Sequence, residues 1–236
     1  MDDVLLFLSA GRAARRIRDG ELTVVDYVTA VLDAAEASQA TLNAFVTICR
    51  DDALSDAKGA DDAITSGAKT GPLHGIPVSV KDMIPVAGLP NRNGSLTCEK
   101  DVPEHDAPSV RRLRAAGAIV IGKTTTPEFG HKGLTDSLLS GTTRNPWDLY
   151  RTPGGSSGGA AAAAAAGIGP LALGTDGAGS IRGPSATCGL VGLKPTHGMV
   201  PHPARSDPFG NQSSTGPMTR TVADAAAMLR VMAGPD

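Results

Sequence analysis

Apolar positions over the first 70 residues recur at helical spacing, and beyond them they gather into short runs of a strand's length. Leu5 to Arg18 and Thr23 to Ala37 each carry an apolar stripe, with Thr23 as the cap of the second helix and Asp26 three residues on. Asn43 to Ile48 reads as a short strand. Asp51 to Ser66, rich in alanine and aspartate, reads as a helix with a solvated charged face. After the breaker-rich Gly71-Pro-Leu-His-Gly-Ile-Pro, the alternating β-branched run Val78-Ser79-Val80-Lys81-Asp82 predicts a strand that delivers a lysine. Pro108 to Ala116 predicts a helix, and Ala118 to Ile121 a strand running into Gly122-Lys123-Thr124. A glycine-serine turn, Gly154 to Gly159, then opens a run of seven alanines, helical by propensity, with Ser156 or Ser157 placed to cap it and Gly167 to end it. Pro170 to Gly174 is a short apolar run between breakers, which predicts a buried strand. Helices and strands in alternation make an α/β fold, with a helical region over residues 1–70 packed on a core formed by residues 71–236.

Composition narrows this picture. A chain of 236 residues with 41% hydrophobic content and a net charge of -2 is that of a soluble globular protein of one or two domains. Aromatic residues make up 3% against 29 glycines, so the core is aliphatic and the backbone turns often. Near-neutral charge argues against nucleic acid as the main partner. Cys49, Cys98 and Cys188 are odd in number and lack Cys-x-x-Cys spacing, which indicates neither a disulfide framework nor a zinc site and fits a reducing cytoplasm. The opening MDDVLLFLSAGRAARR puts acids before a short apolar run, so neither an export signal nor a membrane span is read there.

Candidate chemistry concentrates in two places. Asp176-Gly177-Ala178-Gly179-Ser180 follows a predicted strand and leaves backbone N–H groups unshielded by side chains, which suits a bound anion or the oxyanion formed when a nucleophile adds to a carbonyl. Lys81 ends another strand. Such a lysine is ordinarily a solvated charge, but the flanking Gly75, Pro77, Pro85 and Gly88 suggest a strand deep in a sheet, where burial disfavours the ammonium and frees a neutral base. Two motifs point elsewhere. Gly117 to Thr124 matches G-x-x-x-x-G-K-[ST], yet its four intervening residues read as strand where a phosphate loop needs open backbone. Gly154-x-Ser156-x-Gly158, with Asp176 and His197 downstream, matches the nucleophile elbow of α/β-hydrolase esterases, yet Trp147 to Gly154, which precedes it, reads as loop and not strand.

From about Leu42 to the C-terminus the chain closely resembles the amidase signature family of serine hydrolases, through GIPVSVKD (75–82), TRNPWD (143–148), PGGSSGG (153–159) and GTDGAGSIRGPSATCGLVGLKPT (174–196). The resemblance implies a mixed central sheet covered by helices, and hydrolysis of a carboxylic amide through an acyl-enzyme. Lys81 would be the general base, Ser156 a bridging serine on a cis Gly155–Ser156 peptide, and Ser180 the nucleophile. The backbone amides of Gly177, Ala178, Gly179 and Ser180 would be oxyanion donors, with Asp176, Arg182 and Cys188 as scaffolding. Lys81 Nζ, Ser156 Oγ and Ser180 Oγ would lie in hydrogen-bonding sequence, and the histidines would be spectators. Ala178 stands where the family usually has glycine, which crowds the loop if φ there is positive. The resemblance implies no metal or cofactor, a small-molecule amide as substrate, no membrane and a homodimer as a candidate assembly. Nucleic acid enters only if the chain is the glutamine-hydrolysing component of a tRNA-dependent amidotransferase. Family members run to roughly twice this length, so the chain is expected to be a front half.

Overall fold

The computed structural model describes residues 3–98, 101–201 and 212–236. The N-terminal region holds α1 (Asp3–Leu6), α2 (Ala10–Arg18), α3 (Val24–Leu42), β1 (Phe45–Ile48) and α4 (Arg50–Thr65). The single helix expected over Leu5–Arg18 is two, because Ser9 accepts a hydrogen bond from the N–H of Arg12 and restarts the chain as α2. Thr23 does cap α3, accepting from Asp26 N at 3.0 Å. That helix outruns its expected end at Ala37, stopping where Asn43 turns left-handed at φ 50. The charges of α4 are not all a solvated face, since the Asp61 carboxylate accepts from Val24 N and Val25 N at 2.8 and 3.0 Å and supplies the first turn of α3 with an acceptor.

The core follows with β2 (Pro77–Lys81), α5 (Pro108–Ala115), β3 (Ile119–Thr124), the small hairpin β4 (Asp136–Ser137) and β5 (Gly141–Thr142), α6 (Gly158–Ala165), β6 (Leu171–Asp176), α7 (Arg182–Cys188), β7 (Val191–Gly192), β8 (Ser214–Thr219) and α8 (Val222–Met232). Six strands form one mixed sheet in the order β1-β3-β2-β6-β8-β7. The central trio β3, β2 and β6 is parallel and the flanking strands antiparallel. The region expected as a helical covering thus also contributes an edge strand. Pro217 is tolerated inside β8 because β7 pairs only with Met218 and Thr219, so no ladder bond is asked of its missing N–H on that side.

One apolar core joins Tyr27, Val31 and Leu32 of α3 to Val78, Val80, Ile121 and Leu171 of the sheet. A smaller cluster, Ala160, Ala161, Ala164, Ala172, Ile181, Cys188 and Met218, lies between α6, β6, α7 and β8. Helix α6 is buried from Gly158 to Ala164, which explains its composition. A Cβ at Gly159 would stand 2.3 Å from Thr125 Oγ1 and 2.5 Å from the Ala44 carbonyl oxygen, so backbone approaches backbone there as only glycine permits. No helix among the described residues is long and apolar enough to cross a membrane.

Candidate active site

Parallel strands bring their C-terminal ends to one edge of a sheet, and in open α/β sheets that edge is where sites form. Here β2 ends on Lys81, and β6, next to it, ends on Asp176 and passes into the Gly177–Ser180 loop. The third piece is the Pro153–Ser157 turn leading into α6. Neither serine caps that helix as expected. Ser156 turns to Lys81, and the Ser157 hydroxyl donates to Thr175 O at 3.2 Å and accepts from Thr175 N at 3.4 Å.

Lys81 is fully buried. Its Nζ donates to Ser156 Oγ at 2.6 Å and to Thr175 Oγ1 at 2.8 Å, and the Gly155–Ser156 peptide is cis. Desolvation lowers the lysine from its ordinary 10.5 to about 7, against a smaller upward pull from the Asp176 carboxylate. A large fraction is therefore neutral amine at neutral pH, with a hydroxyl within proton-transfer reach.

Asp176 organises the loop. Its Oδ1 accepts from Gly179 N at 2.7 Å and Arg182 Nη2 at 3.0 Å, and its Oδ2 accepts from Ile181 N at 3.1 Å, Arg182 N at 3.2 Å and Arg182 Nε at 2.9 Å. Burial alone would raise this carboxyl, but the Arg182 guanidinium and the three backbone N–H groups outweigh it and hold the group at about 2. The carboxylate is thus a fixed anion that folds the chain around Ser180.

Of the four amides expected as oxyanion donors, that of Gly179 is therefore occupied. Those of Gly177, Ala178 and Ser180 make no hydrogen bond among the described residues. Ala178 lies outside the left-handed region, whereas Gly179 occupies it at φ 114, so the extra methyl sits where L-residues are comfortable. Ser180 is half-buried. Its carbonyl oxygen accepts from Ser157 N at 3.2 Å, but among the described residues its hydroxyl makes no hydrogen bond to Ser156. The structure joins Lys81 to Ser156 but does not complete the expected relay to the Ser180 hydroxyl.

Residues that sequence reasoning missed complete the site. Thr175, a second acceptor for Lys81, is one. Gly130 is another: a Cβ there would lie 2.5 Å from the Met83 sulfur and 3.1 Å from Ser156 Oγ, so the Phe129–Gly130 turn closes over Ser156. The TRNPWD motif pins the loop that leads to Pro153. Asn145 Nδ2 donates to Thr152 O and Thr187 O, and the Trp147 indole N–H donates to Cys188 O at 2.8 Å.

The two competing motifs do not assemble. Gly122, Lys123 and Thr124 lie within β3, and Lys123 is buried against Asp82 at 3.2 Å, so no open phosphate loop exists there. The esterase elbow fails because turns, not a strand, precede Ser156, and Asp176 is bound to Arg182. His197 is exposed, His74 bonds Ala60 O, and His202 lies outside the described residues. Among the described residues no cluster of His, Cys, Asp or Glu is arranged to hold a metal ion, and Cys49, Cys98 and Cys188 are free.

Comparison with known proteins bears on the family and the fold. The family model described as Amidase matches residues 26–236. An acylamidase of Rhodococcus erythropolis is 46% identical over 232 residues, covering 98% of this chain and 49% of that protein. A glutamyl-tRNA(Gln) amidotransferase subunit of Rhodopirellula baltica is 44% identical over 228 residues, covering 97% of this chain and 46% of its own. Among solved structures, a bacterial aryl acylamidase of the amidase signature enzymes superposes with a TM-score of 0.93 at 35% identity, over 98% of this chain and 48% of that one. The peptide amidase of Stenotrophomonas maltophilia gives 0.91 at 39% identity, over 98% and 48%. The chain spans about half the length of the curated relatives it matches.

Proposed function

This chain belongs to the amidase signature family, and on that premise we propose that it hydrolyses a carboxylic amide to an acid and ammonia or an amine through Lys81, Ser156 and Ser180. The observation that carries the reading is the buried Lys81, lowered to about 7 and 2.6 Å from Ser156 Oγ. An amide is a poor electrophile, so a serine nucleophile needs a base to take its proton and donors to meet the charge that develops on oxygen.

The steps follow from those needs. Substrate brings Ser180 Oγ onto Ser156 Oγ, a closure of the kind that apo sites often leave to the bound complex. Ser180 Oγ adds to the carbonyl carbon while its proton passes to Ser156, whose own proton passes to neutral Lys81. The carbonyl oxygen becomes an oxyanion held by the N–H groups of Gly177, Ala178 and Ser180, while the Gly179 amide stays with Asp176 and keeps the turn in shape. The proton returns through Ser156 to the leaving nitrogen, the C–N bond breaks, and an ester on Ser180 remains. Water adds to that ester by the same route, releasing the acid and restoring the serine.

A second reading shares the chemistry. Relatives named as glutamyl-tRNA(Gln) amidotransferase subunits favour glutamine as the amide, with partner proteins to receive the ammonia, in place of a free amide hydrolysed alone or as a homodimer. The three free cysteines fit a reducing cytoplasm for either. Release of ammonia or amine from small amides and from glutamine, measured on this chain and on its full-length context, separates the two. Ser180→Ala is expected to lower release by several orders of magnitude, and retained turnover would reject Ser180 as nucleophile.

A further inference from the structure

We propose that Ser157 is a positioning residue that ties the base, the bridging serine and the nucleophile loop into one unit, an inference that rests on the reading above. Strand β2 pairs with β6 only along Leu171–Leu173, so β6 runs on past its partner's ladder before it reaches Asp176. At Thr175 the backbone has no neighbouring strand on that side. The buried Ser157 hydroxyl stands in for one, accepting from Thr175 N at 3.4 Å and donating to Thr175 O at 3.2 Å. The N–H of Ser157 donates to the Ser180 carbonyl oxygen at 3.2 Å. A single residue therefore holds Thr175, whose hydroxyl accepts from Lys81 at 2.8 Å, and the peptide of Ser180, while its own preceding residue is Ser156.

The fit is specific to a small residue pair. A Cβ at Gly174 would lie 2.9 Å from Ser157 Oγ, so the strand must be bare there for the hydroxyl to approach. Both backbone groups of Thr175 are buried against a hydroxyl that offers one donor and acceptor lone pairs, so alanine at 157 leaves an N–H and a C=O unanswered. The Thr175 peptide is then free to turn, and the acceptor of Lys81 moves with it.

The charged groups around Lys81 are few. Asp176, on the end of β6, faces it and is neutralised by Arg182 of α7, and the adjacent Asp82 is paired with Lys123 of β3. Ser157 makes no hydrogen bond to any of these side chains, and the bonds from Gly179, Ile181 and Arg182 hold the Asp176 carboxylate in place, so a shift in the titration of Lys81 is read as movement of Thr175. A hydroxyl that accepts from an ammonium favours the charged form, and its loss moves the midpoint down.

The test needs no turnover. In the purified chain labelled with ¹³C-lysine, the Lys81 side-chain resonance is identified by its loss in Lys81→Met and titrated by NMR in wild type, Thr175→Val, Ser157→Ala and Ser157→Cys. Thr175→Val sets the scale, on the order of one pH unit downward. Ser157→Ala is expected to move the midpoint in the same direction by most of that amount, and Ser157→Cys, which keeps a weak donor and acceptor, by less. A folded Ser157→Ala with the wild-type midpoint overturns the proposal. So does loss of fold in Ser157→Ala together with a wild-type midpoint in Ser157→Cys, and so does loss of fold in both, which would make Ser157 a stability residue only. A wild-type Lys81 that titrates at an ordinary lysine value would instead count against Lys81 as the base, which the difference between variants does not address.

Discussion

Lys81 shows at the scale of one residue how function opposes stability. Its value is near 7 when folded and near 10.5 when unfolded, so between those limits the unfolded chain holds a proton that the folded one has lost. Stability therefore rises with pH across that window, and burial of the ammonium costs most below it. Lys81→Met is expected to raise the unfolding midpoint, more at pH 6 than at pH 10, while removing reactivity, as replacement of a buried functional charge commonly does. An equal rise at both pH values would show that the lysine is not held neutral by the fold. The strand end at Lys81 and the family resemblance singled out Lys81, Ser156 and Ser180 in the sequence, and the structure sets Lys81 against Ser156. The sequence did not reveal the bonds of Thr175 to Lys81 and Ser157, which depend on how far β6 outruns β2, and a strand's neighbours are set by distant residues. Nor did it reveal that Asp176 takes the Gly179 amide, because a glycine-rich loop reads as a row of free donors until the carboxylate is placed among them.

At the scale of elements, side chains fasten the N-terminal helices to the core beside the shared apolar packing, with Asp224 accepting from Gly11 N at 3.2 Å and Arg220 making four of the bonds. Arg220, just before α8, donates to Ala164 O at 2.8 Å, Gly169 O at 3.0 Å, Leu6 O at 3.2 Å and Leu8 O at 2.8 Å, with its guanidinium 5.5 Å from the Phe7 ring centroid. It closes the end of α6 and the α1–α2 junction together. Arg220→Met strips four carbonyls of a charged donor and is expected to destabilise the chain by about 3 kcal/mol in urea unfolding. A loss below about 0.5 kcal/mol, the range of an ordinary surface change, would contradict this role. Gly159→Ala, which drives a Cβ into Thr125 and the Ala44 carbonyl, is expected to lower stability by about 1–3 kcal/mol in the same measurement. Elements with local signals were readable: the Thr23 cap, the alanine helix and the β-branched β2. Strand β8, Ser-Thr-Gly-Pro-Met-Thr, has neither alternation nor propensity and becomes a strand only because β6 pairs with it along its whole length, and a one-sequence reading passes over it.

For the molecule as a whole, the α/β class was legible, and the mixed sheet came with the family resemblance. The site sits at the C-terminal edge of the parallel trio and reaches the surface at Gly177 and Ala178, both exposed. A cavity of about 210 Å³ lies instead among Ala14, Ile17, Arg18, Ile64 and His74, away from Lys81 and Ser180. The cavity and the buried lysine with its two hydroxyl partners thus lie in different regions, and the proposed function rests on the lysine. The most direct measurement of the central claim is covalent labelling of this chain by a fluorophosphonate, with the modified residue mapped by mass spectrometry and the labelling rate followed against pH. The account predicts label on Ser180, a rate that climbs as pH rises through about 7 with the deprotonation of Lys81, and loss of that climb in Lys81→Met but not when His74, His105, His131 or His197 is replaced. Label on Ser156, or a climb that disappears with one of the histidines, would contradict it.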